Sequence, residues 1–157
     1  MLKSIVCFLM LAGAPQSEAF KKEMIPLQEA VDTVVSNTGA RIMGMSDRSR
    51  ATYLDGYGIV VVLEVTLEQP SHPFGSSKSP AEVQATVSQR QKAIKEKISE
   101  LLKQRVGKTE SVGATESIAV IVHFLNVTRA DVPDLPIQLV FRVRKDTPTE
   151  VKITEFK

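Results

Sequence analysis

With a single cysteine, two histidines and no tryptophan among 157 residues, the chain lacks the raw material for several kinds of chemistry. Cys7 has no partner within the chain, so no disulfide framework is expected to hold the fold together. The same scarcity argues against a zinc site, and the acids Asp47, Asp55, Asp131 and Asp134 are too scattered to suggest another metal centre. Nucleophilic catalysis needs a base that a hydroxyl can reach, and only His72 and His123 offer one. Neither Gly-x-Ser-x-Gly nor Ser-x-x-Lys occurs. No catalytic signature, metal or cofactor is therefore expected, and a non-enzyme is favoured. Aromatic residues make up 5% of the chain, too few for a base-stacking platform, and a net charge of +2 is too small an imbalance to point to a nucleic-acid partner.

Long hydrophobic runs are also missing. Residues 1–19 carry Lys3, the apolar run Ile5 to Ala12, then Pro15 and the small residues Ser17 and Ala19. This is the pattern of a secretory signal peptide cut after Ala19. The run is shorter than the roughly 20 apolar residues that span a bilayer, and no second one follows. Cys7 lies inside the run, where lipidation would need a cysteine just after it. The reading is an exported protein, periplasmic or extracellular, with no transmembrane segment after processing. Residues 20–157 then form a single cysteine-free domain whose stability must come from packing.

What is present is a valine ribbon. Ile59, Val61, Leu63, Val65 and Leu67 alternate with Val60, Val62, Glu64, Thr66 and Glu68, the period of a strand. Because Val60 and Val62 are apolar as well, the first half is expected to be covered on both faces. Upstream, Asp55-Gly56 supports a tight hairpin turn and Gly58 an unusual angle or a close backbone approach, so that Arg50 to Leu54 pair back as a short strand. A second two-sided apolar strand is expected over Ser117 to Leu125. Ile137 to Arg144 and Val151 to Phe156 read as a hairpin at one edge, turning at Asp146-Thr147-Pro148 and bearing charges that discourage aggregation.

Two helical patterns flank the ribbon. Leu27, Ala30, Val31, Val34 and Val35 share one face of a helix expected from Pro26 to Thr38, with Ile42, Met43 and Met45 extending its packing. Ser79-Pro80-Ala81-Glu82 is a capping box opening a long helix that places Val83, Val87, Ile94, Ile98, Leu101, Leu102 and Val106 on one side and ends at Gly107. Its opposite side mixes Arg90, Lys92, Lys95, Lys97, Lys103 and Arg105 with Glu96 and Glu100. That is a solvated face first, and a surface for anionic lipid or another polyanion second. A strand, a long helix and a second buried strand imply a right-handed crossover between parallel neighbours. The fold class is α+β, a two-layer α/β sandwich with a mixed sheet of four or five strands and two helices on one face.

Function is less legible. The loop 69–79 lies where a ligand would bind, after a central strand and before a helix N-terminus, with His72, Ser76, Ser77 and Lys78 as candidate contacts. Its spacing does not match a phosphate-binding loop, and a polar connector has the same composition. His123 reads as a core or edge histidine with a hydrogen-bond partner. Asn126-Val127-Thr128 is a glycosylation sequon in a cell that glycosylates exported proteins. The segment Tyr53-Leu54-Asp55-Gly56-Tyr57-Gly58-Ile59-Val60 resembles an uncharacterised family of exported bacterial proteins in which Tyr-Leu-x-Gly-Tyr-Gly opens a hydrophobic strand. The resemblance covers Arg50 to Phe141 and implies an envelope location. It makes Tyr53 and Tyr57 candidate surface residues, although turn-flanking tyrosines more often cap a core edge, and imports no catalytic residue. The leading expectation is a non-enzymatic structural or interaction domain with an unknown protein partner in the envelope, working through a sheet edge or the exposed helix face. The alternatives are a small-ligand binder or hydrolase at the 69–79 loop and a polyanion or membrane-surface binder.

Overall fold

The valine ribbon is the centre of the sheet in the computed structural model, which describes residues 14–44, 46–68, 78–125, 132 and 134–157. The elements run α1 (Ala14–Ser36), β1 (Arg41–Met43), β2 (Arg50–Leu54), β3 (Gly58–Thr66), α2 (Pro80–Val106), β4 (Ser117–Leu125), β5 (Gln138–Arg144) and β6 (Thr147–Phe156). β3 pairs in parallel with β4 over their whole length, Gly58 opposite Ser117 through Thr66 opposite Leu125, and α2 makes the crossover. β5 and β6 continue the sheet antiparallel. On the other edge of β3, β2 pairs over Gly58 to Val62 and β1 over Glu64 to Thr66, both antiparallel. β1 and β2 thus share one edge, and six strands occupy five positions where four or five strands were expected. The unexpected strand is β1. Three residues are too few to show alternation, and Ile42 is drawn in because its partner Val65 lies in the core.

Two hairpin turns are set by backbone chemistry. Gly56, at φ +72°, makes the β2–β3 hairpin with Asp55 as expected. At the opposite edge of the sheet the β5–β6 turn falls at Lys145-Asp146, so β6 begins at Thr147, four residues before the expected strand. A bulge between Val143 and Arg144 absorbs the extra residues around Pro148, which has no N–H to offer a ladder.

The helices confirm one boundary and correct another. α2 starts and stops where its sequence signals put it. Ser79 Oγ accepts from the Glu82 N–H at 3.3 Å while Glu82 Oε2 accepts from the Ser79 N–H at 2.8 Å. Replacing Ser79 by Ala removes the cap and is expected to cost about 1 kcal/mol, measured by urea denaturation. α1 starts at Ala14, twelve residues before the expected Pro26, and continues through the expected cut after Ala19. Pro26 therefore lies inside the helix and removes a backbone donor there, in place of opening it. The run of Glu18, Lys21, Lys22, Glu23 and Met24 has good helix propensity, which carries the helix past the interruption.

Both helices pack on one face of the sheet. Leu27, Val31 and Val35 of α1 and Val87, Ile94, Ile98, Leu102 and Val106 of α2 join Ile59, Val61, Leu63 and Val65 of β3 in one buried cluster. Ile118, Val120 and Val122 of β4 and Leu139, Phe141 and Val143 of β5 complete it. Each large apolar side chain buried there contributes about 1.5–3 kcal/mol. The architecture is the expected two-layer sandwich. The difference lies on the other side: no described helix or strand covers the second face of the sheet.

Candidate functional site

Strand register determines what the uncovered face presents. One rank across the sheet reads Thr52, Val60, Ala119, Arg142 and Lys152, and the next Arg50, Val62, Ile121, Val140 and Thr154. A third reads Met43, Glu64, His123, Gln138 and Phe156. The middle of the face is aliphatic and the positions around it are charged. Val60 and Ala119 are buried, while Val62, Ile121 and Val140 remain partly open. Leu54 and Phe156, at opposite corners, are 48% and 47% exposed. The expected cover on both sides of the first half of β3 is met at Val60, which is buried, and not at Val62, which is half-buried on a face that no described helix or strand covers.

The cations on this face are unevenly matched. Arg41 sits 3.8 Å from Asp47 and Arg144 2.5 Å from Asp146, both acids lying in adjoining loops. Arg50, Arg142 and Lys152 have no carboxylate partner among the described residues, and Glu64 has no cation. The Arg142 guanidinium lies 4.9 Å above the Tyr57 ring, and its Nε donates to Ser117 Oγ at 3.0 Å, so this cation is held in place at one end of the face.

A cleft opens at the margin of the same face. Residues 44–49 separate β1 from β2 opposite the single residue Leu63. The space left is a cavity of about 210 Å³ lined by Met43, Ser46, Arg48, Arg50, Val62 and Glu64, among others. The loop is pinned from α1: Gln28 Nε2 donates to Ser49 O at 2.6 Å, and the Ser49 N–H donates to Asp32 Oδ1 at 3.0 Å. Asp47 adopts φ +48°, a conformation that asparagine and aspartate tolerate better than other side chains.

The two tyrosines of the Tyr-Leu-x-Gly-Tyr-Gly segment turn out to have structural roles at the N-terminal end of β3. Tyr53 is half-buried on the helix side, where Phe20 of α1 stacks on it with ring centres 4.0 Å apart and planes 23° from parallel. Its hydroxyl donates to Glu116 Oε1 at 2.7 Å, and Glu116 Oε2 accepts from the Gly113 N–H at 2.7 Å. The Tyr57 carbonyl accepts from the Ser117 N–H at 2.8 Å, joining the hairpin to the start of β4. Nearby, Glu23 of α1 accepts from the backbone N–H groups of Glu110 and Ser111, and Lys145 donates to the carbonyls of Thr109 and Val112. The motif therefore ties helix, hairpin and crossover together.

This network carries a pH signature. The hydrogen bond to Glu116, with burial and the negative charge beside it, pushes the Tyr53 hydroxyl up from 10.0 to about 12. The Gly113 N–H and then the Tyr53 hydroxyl hold the Glu116 carboxyl below its ordinary value, against the opposing effect of burial. Because Tyr53 keeps its proton longer folded than unfolded, its contribution to stability is intact below about pH 10 and is lost as pH rises through about 12. Glu116 contributes in the opposite direction, present above the usual carboxylate range and lost as pH falls. In a Tyr57→Phe background, ultraviolet titration of the remaining tyrosine is expected to give a midpoint near 12. A midpoint near 10 would remove the hydrogen bond from this description.

The expected loop site is only partly visible. His72, Ser76 and Ser77 lie outside the described residues. Lys78 is exposed, with its ammonium 2.5 Å from Glu68 Oε1. His123, expected as a core or edge histidine, is half-buried on the open face of an interior strand, in the rank that holds Glu64 and Gln138. On the basic side of α2, Arg90 Nη1 donates to the Leu67 carbonyl and Lys95 contacts Glu155 at 2.5 Å. No group of three potential metal ligands occurs among the described residues, and no described helix is long and apolar enough to cross a membrane. No family model matches the sequence, and neither a curated protein nor a solved structure matches it significantly.

Proposed function

We propose that this chain is an exported, non-enzymatic interaction domain that binds its partner through the open face of its sheet. One observation carries the reading: Val62, Ile121 and Val140 form a partly open aliphatic strip without a described covering layer, beside Arg50, Arg142 and Lys152, which face no described carboxylate. A contiguous apolar patch with a polar rim is the usual mark of a binding surface. The basic side of α2 is a weaker candidate, because Arg90 and Lys95 are already engaged within the fold. Export rests on the N-terminal pattern of charge, apolar run and small residues, and on the resemblance of the Tyr-Leu-x-Gly-Tyr-Gly segment to exported bacterial proteins.

Two measurements test the two halves. Protein recovered from its source cell is expected in the envelope or medium with Phe20 as its first residue; a cytosolic chain starting at Met1 would contradict export. Immobilised protein incubated with envelope extract is expected to retain binding proteins equally well in wild type and in Lys103→Glu, on α2. Val140→Glu should release them while melting at the wild-type temperature. Retention unchanged by Val140→Glu would contradict the face assignment.

A further inference from the structure

Resting on the open face as the binding surface, we infer that its partner is an acidic amphipathic helix of another protein, which supplies the missing third layer of the sandwich. Three features of the face point there. Its dimensions suit one helix of about 20 residues: nine residues at about 3.3 Å give roughly 30 Å of length along β3 and β4, and the three strand spacings from β2 to β5 give about 14 Å of width, close to a helix diameter. The open strip suits a helix. Gly58, Ser117, Ala119 and Val60 are buried, with Ser117 bonded to Arg142, so the accessible apolar strip is Val62, Ile121 and Val140, with Arg50 on one side and Arg142 and Lys152 on the other. A helix laid along that strip would bury its apolar side on these three residues, the way helices ordinarily cover a sheet.

The charges select the helix. Arg50, Arg142 and Lys152 flank the open strip on both sides without carboxylate partners among the described residues. Glutamate or aspartate on both flanks of the apolar stripe would meet them. Complementary potentials of this kind set register and speed encounter. A second copy of the chain fits poorly, since two such faces brought together would oppose arginine and lysine with arginine and lysine. Nucleic acid would find little to stack on, because the Tyr57 ring is already covered by Arg142 and Phe156 stands alone at a corner.

Site-specific photocrosslinking in the source cell tests the inference on the full chain. A benzophenone amino acid is placed at Thr52 or Thr154 on the open face and, as control, at Gln89 on the exposed side of α2. The expected result is one protein adduct from both face positions and none from Gln89, with the crosslinked peptide an amphipathic helix bearing carboxylates on both flanks. The adduct should fall at least tenfold in Arg50→Glu/Arg142→Glu, provided that variant melts as a folded protein. Lys152→Glu alone should give a smaller drop and serves if the double variant does not fold. A face adduct to a neutral or basic segment, to lipid, to nucleic acid or to a second copy would overturn the acidic helix while leaving the open face as a binding surface. No face adduct above the Gln89 control, or one confined to the same chain, would overturn both.

Discussion

Val61→Asp is expected to leave the protein unfolded at 25 °C, with no cooperative melt and rapid digestion by added protease. Val61 is fully buried in the middle of β3, with Ala51 of β2 on one side and Val120 of β4 on the other. Its side chain lies within the cluster that both helices cover. A carboxylate there forfeits the apolar burial and is itself desolvated without a cation to receive it, for a combined cost of about 5 kcal/mol or more. Domains of this size are stable by about 5–15 kcal/mol in total. The same substitution one residue along provides the contrast. Val62 points to the open face and is only partly buried, so Val62→Asp should cost less and leave a measurable melting transition. Equal effects at the two positions would mean that both faces of β3 are covered.

Gly58→Ala is the second large effect, and it arises from backbone geometry alone. Gly58 has φ +113°, a region side chains rarely enter. A Cβ placed on it would overlap the carbonyl oxygen of Ser117 and lie 3.0 Å from that residue's nitrogen. Neither obstacle is a flexible side chain that could swing away. The parallel register of β3 and β4 begins at this pair, and the adjoining Ser117 N–H to Tyr57 carbonyl bond anchors it. The expected cost is about 3 kcal/mol or more, combining conformational strain with the loss of that junction. Gly56→Ala tests the interpretation, since Gly56 has φ +72° but open space around it. That variant should lose about 1–2 kcal/mol, the cost of the left-handed conformation alone. Urea denaturation of both would separate strain from collision.

These contrasts also show why part of the fold was readable in advance and part was not. Local signals were reliable where one short stretch carried the whole instruction. Ser79-Pro80-Ala81-Glu82 caps α2, Asp55-Gly56 turns the hairpin, and alternation marks β3 and β4 along their full length. They failed where a neighbour decided. β1 is strand because Val65 is there to pair with Ile42, and α1 runs on past Pro26 because strong helix formers precede it. Composition implies cover on both faces for the first half of β3 and for β4; Gly58 to Val61 and Ser117 to Val120 are indeed buried, but with both helices on one side the second face opens at Val62, Glu64 and Ile121.

The binding surface was harder to anticipate for the same reason. Arg50, Arg142 and Lys152 are far apart in sequence and reach one face only through the register of the strands that carry them. The faint signal available was the switch in β5 from Val140 to Arg142 and Arg144 on the side opposite Leu139, Phe141 and Val143. Likewise nothing in sequence links Tyr53 to Glu116, 63 positions away, although their hydrogen bond explains why the first tyrosine of the motif is there. The second tyrosine is explained by its cover, the Arg142 guanidinium.

Hydrogen–deuterium exchange resolved along the chain tests the central claim, that β3 and β4 form the interior pair of a sheet with both helices on one side. Amides from Val60 to Val65 and from Ala119 to Val122 should exchange only through global unfolding, at a rate that matches the denaturant-derived stability. Those of the edge strand β6 should exchange faster. Uptake by the β3 amides as rapid as that of the chain ends would contradict the account.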